Sequence, residues 1–197
     1  MSSFTGCLLG SVLAVLLTGC ASTKLDPVFV QTLREGGRAT IANYSSGHVC
    51  GPGLVVAGPA TLDDKCLAAI EEVLRAGTDI AYVERASLGL SGTGPADPTG
   101  ESYLALRDKG RITGVIKLQL MFQVAPGFKK VPRLAVVWEV LTTEGVCKVK
   151  INTAATAGKS GGVFLNTMHP GYAETFAELA RRNASQFLKL LSKPQGQ

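Results

Sequence analysis

The sequence predicts an α+β fold with the element order β-α-β-α-β-β-β-α. It describes a mixed sheet that ends in an antiparallel meander, with helices covering one face. Three observations carry this. From Ile112 to Val124 the even positions are Ile112, Gly114, Ile116, Leu118, Leu120, Phe122 and Val124, with Thr113, Lys117, Gln119 and Gln123 between them. A period of two buries one side of a strand and wets the other. The pattern resumes in Leu134–Thr142, with Trp138 inward, and again after the turn residues Glu144-Gly145. There Cys147, Val149 and Ile151 alternate with Lys148, Lys150 and Asn152. Two other stretches, Leu62 to Leu74 and Tyr172 to Leu191, carry apolar residues at helical spacing instead.

The remaining elements follow in order. Arg38–Tyr44 reads as the first strand, closed by Ser45-Ser46-Gly47. Leu54–Ala57 is a minor strand inside a stretch rich in glycine and proline. The first long helix starts at the N-cap Thr61, has Asp63 and Asp64 in its first turn, where the helix dipole favours negative charge, and stops at Gly77. Asp79–Arg85 reads as a strand, Gly92–Gly100 as a loop and Gly100–Asp108 as a short helix. The last helix, Gly171–Ser192, is stopped by Pro194. No internal repeat occurs. The 197 residues hold one domain over 38–192, with a tail at 193–197.

Residues 1–19 carry no charge. Their apolar run from Cys7 to Leu17 is about a dozen residues long, too short to cross a bilayer as a helix. It closes on Leu17-Thr18-Gly19-Cys20, which resembles the lipobox of bacterial lipoproteins, although no Lys or Arg precedes the run. The resemblance implies a signal peptide over 1–19, cleavage before Cys20, a diacylglycerol on its thiol and an acyl chain such as palmitate on its amine. Ala21 stands where an Asp would imply retention at the inner membrane. By that resemblance it favours the cell outer membrane, with the domain facing the periplasm and the inner membrane as the alternative. Residues 20–37 then form the lipidated cysteine and a tether that reaches about 60 Å when extended, at roughly 3.3–3.6 Å per residue. Val28, Phe29, Val30 and Leu33 are too apolar for a pure spacer, so part of the tether is expected to pack on the domain.

An exported chain keeps its cysteines in an oxidising compartment. With Cys7 in the signal and Cys20 as the anchor, Cys50, Cys66 and Cys147 remain. A Cys50–Cys66 disulfide closes a loop of about 15 residues and stabilises by roughly 3 kcal/mol in chain-entropy terms. Cys147 falls on the apolar side of its strand as a buried free thiol. A metal site is the alternative for these cysteines, but no CxxC occurs and His48 and His169 are the only histidines. Ala157-Gly158-Lys159-Ser160 matches the end of a phosphate-binding loop. Thr153, however, stands where that loop needs glycine, and Gly161-Gly162 stand where a helix should begin. Gly89, Gly92 and Gly94 lack dinucleotide-binding spacing, and His48 beside Cys50 has no third group to orient it. No catalytic residue, cofactor or metal is expected. The net charge of +5 comes without a nucleic-acid-binding motif, so no nucleic-acid partner is expected either.

This element order after a lipobox resembles the small periplasmic domain of the curli-secretion channel lipoproteins and of the lipoproteins that activate penicillin-binding proteins. The resemblance covers roughly residues 38–192, is one of element order, and carries no functional residue across. It implies a domain that binds proteins and catalyses nothing. The leading reading is a membrane-anchored lipoprotein that serves as an accessory, assembly or protein-binding component of an envelope machine, with another envelope protein as partner. A lipid- or small-ligand-binding lipoprotein serving a transporter is the second reading, and it predicts an apolar pocket of roughly 300 Å³ or more. A periplasmic enzyme is the third. For the leading reading the polar face of the meander supplies a basic docking surface, with Lys117, Arg133, Lys148 and Lys150 as candidate protein-binding residues.

Overall fold

The computed structural model describes residues 23–49, 55–56, 60–90, 100–125, 131–157 and 170–193. The lipobox, Cys50, most of the Gly92–Gly100 loop, Gly158–Ser160, His169 and residues 194–197 lie outside the described residues. Among the described residues one sheet contains β1 (Lys24–Leu25), β2 (Arg38–Val49), β3 (Val55–Val56), β4 (Ala81–Tyr82), β5 (Gly114–Ala125), β6 (Val131–Thr142) and β7 (Cys147–Thr156). The strand order is β1-β7-β6-β5-β2-β3, with β4 beside β2. β5, β6 and β7 are the expected antiparallel meander, and β2 joins it parallel to β5, which makes the sheet mixed. The helices are α1 (Pro27–Arg34), α2 (Ala60–Ala76), α3 (Gly100–Gly110) and α4 (Pro170–Ser192), and a 3-10 turn spans Ala86–Leu88.

The period of two decides which face is covered. Ile116, Leu118, Leu120, Phe122, Leu134, Val136, Trp138, Val140, Val149 and Ile151 all join one buried cluster beneath α2 and α4. Trp138 lies flat on Phe187, with centroids 4.3 Å apart and planes 8° apart. Its Nε1 donates to Thr153 Oγ1 at 2.8 Å. Phe176 meets Phe122 and Tyr172 edge-on at 5.1 and 5.0 Å. One buried amide pins α4 to the sheet: Asn183 Nδ2 donates to the Leu134 carbonyl at 3.1 Å and to that of Leu179 at 2.8 Å. Ion pairs Lys65–Glu174 and Arg181–Glu72 join α2 and α4 on their outer sides. Thr153 sits inside β7, so the phosphate-loop pattern is a strand there rather than a turn.

Residues read as tether are part of the folded unit from Lys24 onward. Asp26 caps α1 by accepting from Phe29 N at 3.1 Å, and Pro27 fills the first turn, where no N–H is needed. Phe29, Val30 and Leu33 enter the main cluster. Leu33 sits so close over β5 that a Cβ on Gly114 would lie 3.0 Å from its Cδ2. β1 pairs with β7, Lys24 opposite Lys150 and Leu25 opposite Val149.

The strand expected over Asp79–Arg85 contracts to Ala81–Tyr82 because the chain turns away to make a polar cluster. Tyr82 Oη donates to Glu71 Oε1 at 2.7 Å, and Arg85 Nε donates to the same oxygen at 2.7 Å. Beyond it, Val83, Leu88, Tyr103, Leu106, Ile112 and Val115 form a second, smaller cluster. Val115 points opposite to Ile116, so α3 and the 3-10 turn cap one end of the reverse face.

Two cysteine expectations are corrected. Cys66 is a free thiol, fully buried, so the Cys50–Cys66 disulfide is not formed. The physical reason is helical spacing. Cys66 lies on the stripe of Leu62, Leu67 and Ile70 and faces the core. Burial, with the nearby Asp63 carboxylate, pushes its thiol up to about 12. Cys147 is also free but only half-buried, on the polar side of the sheet. A register shift between Val140 and Leu141 sets Cys147 opposite Leu141. Its Sγ donates to the Val149 carbonyl at 3.4 Å, and burial, with the Glu139 charge, raises its pKa. Alkylation of the native protein followed by mass spectrometry should therefore mark Cys147 and spare Cys66, which reacts only in denaturant. Native labelling of Cys66 would contradict its placement.

Candidate functional site: the open face of the sheet

The side chains that alternate away from the main core line the reverse face of the sheet. Register stacks them in rows across β2, β5, β6 and β7. One row runs Asn43, Lys117, Glu139, Lys150; the next runs Ser45, Gln119, Val137, Asn152; a third runs Gly47, Met121, Ala135, Ala154. Beyond the end capped by α3, no described element covers these rows. The two inner rows carry no charge. Nothing on them is longer than Gln119 or Met121, so this part of the face is flat. Four strands at about 4.8 Å spacing make it roughly 15 Å wide. A flat uncharged face suits close approach of another flat surface, because no ion must be stripped of water to cover it.

The four candidate docking residues do not gather into one basic patch. Lys150 Nζ meets Glu139 Oε1 at 2.7 Å, and Lys148 Nζ meets Asp26 Oδ2 at 2.9 Å. Lys117 stands opposite Glu139 in the same charged row. Arg133 is exposed, six residues along β6 from Glu139 and so roughly 20 Å away. Hydrogen bonding from Lys148 and then from Phe29 N holds the Asp26 carboxyl below its ordinary value. The stabilisation from that contact is present above the ordinary carboxylate range and is lost as pH falls through the lowered value. The Glu139 hydrogen bond raises the pKa of Lys150, so that contribution holds below the ordinary lysine value and is lost as pH rises through the folded one. The sequence showed the lysines on the wet face. It did not show that acidic partners from β1's end and from β6 already occupy two of them, because those partners depend on strand order.

An open groove of about 420 Å³ lies between the end of α1 and the turn before β4, lined by Gln31, Arg34, Glu35, Thr78 and Asp79. Its lining is polar and charged, unlike the apolar pocket a lipid or small-ligand carrier requires. Among the described residues no group of three or more His, Cys, Asp or Glu side chains could hold a metal ion. No helix there is long and apolar enough to cross a membrane.

No family model and no curated protein matches the chain. Solved structures do resemble it. The hypothetical protein CT253 from Chlamydia trachomatis is 8% identical with a TM-score of 0.49, covering 80% of this chain and 98% of that one. The PelC dodecamer from Paraburkholderia phytofirmans is 14% identical with a TM-score of 0.47, covering 82% and 91%. Lipoprotein GNA1162 from Neisseria meningitidis is 6% identical with a TM-score of 0.45, covering 76% and 99%. Similarity at this level transfers no residue role to the chain.

Proposed function

We propose that this chain is a lipid-anchored envelope lipoprotein whose domain docks another envelope protein through the open face of its sheet, at the outer membrane and facing the periplasm. The observation that carries the reading is the contrast between the two sides of the fold. The side under α2 and α4 is filled, and the outer surfaces of those helices are laced with ion pairs. The reverse side presents two uncharged rows with no described cover. The lipobox at Leu17–Cys20 supplies the anchor.

The test places a charge in the middle of the flat rows. Val137 is half-buried on the reverse face, so Val137→Arg should cost about 1 kcal/mol and leave the domain folded. Capture of the envelope partner, found by cross-linking in intact cells, should weaken about tenfold, which is 1.4 kcal/mol. Arg182→Glu, on the outer side of α4, should leave capture unchanged. Equal capture by wild type and Val137→Arg would move the docking site elsewhere. Labelling with a clickable fatty acid should mark the wild type and miss Cys20→Ala.

A further inference from the structure

We propose that the corner of the domain carrying Val28 and Val146 rests on the phospholipid surface that holds Cys20, an inference that depends on the anchored reading above. Val28 and Val146 are the two large hydrophobic side chains exposed among the described residues, at 74% and 52%. They are 118 positions apart in number but share one corner. β1 and β7 pair at Leu25 and Val149, and Asp26 N continues the ladder to the Lys148 carbonyl at 3.0 Å. Two residues further on each chain come Val28, in the first turn of α1, and Val146, in the tight turn before β7. That turn is closed by Thr142 N donating to the Val146 carbonyl at 2.9 Å.

Chain length says what lies beside this corner. Only Ala21, Ser22 and Thr23 separate Cys20 from β1, so the four peptide steps allow at most about 14 Å. A lipid-bearing Cys20 therefore cannot hold β1 far from the headgroups. The charges agree with a phospholipid surface. Lys24 is exposed and reaches along the corner to donate to the Cys147 carbonyl at 2.7 Å. Asp26 is already matched by Lys148, and the exposed Glu144 carboxylate is held by the Thr142 hydroxyl, its own backbone N–H and the Thr143 hydroxyl, with a smaller contribution from the Arg107 charge. What faces outward is the two valines with the Lys24 ammonium and the hydroxyl-held Glu144 at their rim, and apolar side chains beside an ammonium favour shallow contact with headgroups and the acyl boundary.

The experiment uses the full chain, extracted from membranes and reconstituted into phosphatidylethanolamine–phosphatidylglycerol vesicles with brominated acyl chains. Val28→Trp and Val146→Trp each add an indole at the corner. Arg182→Trp adds one on α4 at the far, Leu134 end of the sheet as a control. Trp138 contributes a constant signal because it is fully buried. The two corner indoles should shift to the blue and lose emission to bromine, the control should do neither, and Cys20→Ala should abolish the difference. Unquenched corner indoles in chains whose Cys20 carries lipid by mass would overturn the corner and leave the anchor standing. Equal quenching with Cys20→Ala would leave the corner standing and overturn the anchored reading. Neither lipid nor quenching would overturn both.

Discussion

Trp138→Ala should cost about 3–5 kcal/mol, a large share of the roughly 5–15 kcal/mol that holds a typical domain together. Three features set that magnitude. The side chain is fully buried at the centre of β6, so its loss leaves a void between sheet and α4. Its ring is stacked on Phe187, and stacking adds to area burial. Its Nε1 satisfies Thr153 Oγ1, a buried hydroxyl left without that donor in the variant. Trp138→Phe keeps most of the stack and loses the hydrogen bond, so it should cost clearly less. Urea titration of the two variants checks both. A loss below about 1 kcal/mol for Trp138→Ala would mean that β6 is not the strand beneath α4.

The second large effect is expected at Glu71. Glu71→Ala should cost about 2–3 kcal/mol, because it strips a hydrogen-bonded carboxylate from two partners at once. The Glu71 side chain is only 12% exposed and that of Arg85 23%. Burial, and then the Glu71 hydrogen bond, holds the Tyr82 phenol far above its usual pKa, so it remains a donor at every working pH. Without Glu71 that donor and the Arg85 guanidinium are both half-buried and unmatched. Glu71→Gln keeps an acceptor for Tyr82 and removes only the charge facing Arg85, so about half the loss should return. Hydrogen exchange should show protection falling first at β4 and the Ala86–Leu88 turn. Uniform loss across β5–β7 would show instead that the cluster supports the whole domain.

The sequence made the meander legible because its signal is local. Strict alternation in three neighbouring segments specifies both the strands and their buried side, and the structure agrees from Ile116 to Ile151. α2 and α4 were equally readable from helical spacing and their stop residues, and α3 was expected as a short helix over Gly100–Asp108. What failed depended on partners distant in sequence. β1 is two residues long and exists because β7 is beside it. The parallel β2–β5 pairing, which extends β2 to Val49, has no signature in either segment. A single register shift near Leu141 moved Cys147 to the polar side against its own alternation. Cys66 is a different lesson. Its place on an apolar helical stripe was visible, and counting cysteines in an oxidising compartment was the weaker guide. At the open face, alternation placed the lysines on the correct side, while their acidic partners depended on a strand order that alternation does not encode.

The strand order has a consequence for how the chain comes together in time. Arg38 at the start of β2 bonds to Thr113, 75 positions later, and Asp26 pairs with Lys148, 122 positions later. Closing such long loops delays these contacts relative to hairpins, so folding of the sheet is slow for its size. A chain that emerges from its N-terminus has β2 in hand with no neighbour for one of its edges until β5 arrives, and β1 and α1 wait longer still for β7. The local β5–β6–β7 hairpins and the contacts of α4 are therefore expected to form first, and β1 with α1 to dock last. The segment nearest Cys20 is thus also expected to be the final piece to fold. Until it docks, the β7 edge that β1 covers and the apolar side of α1 stay open to chaperones and to aggregation.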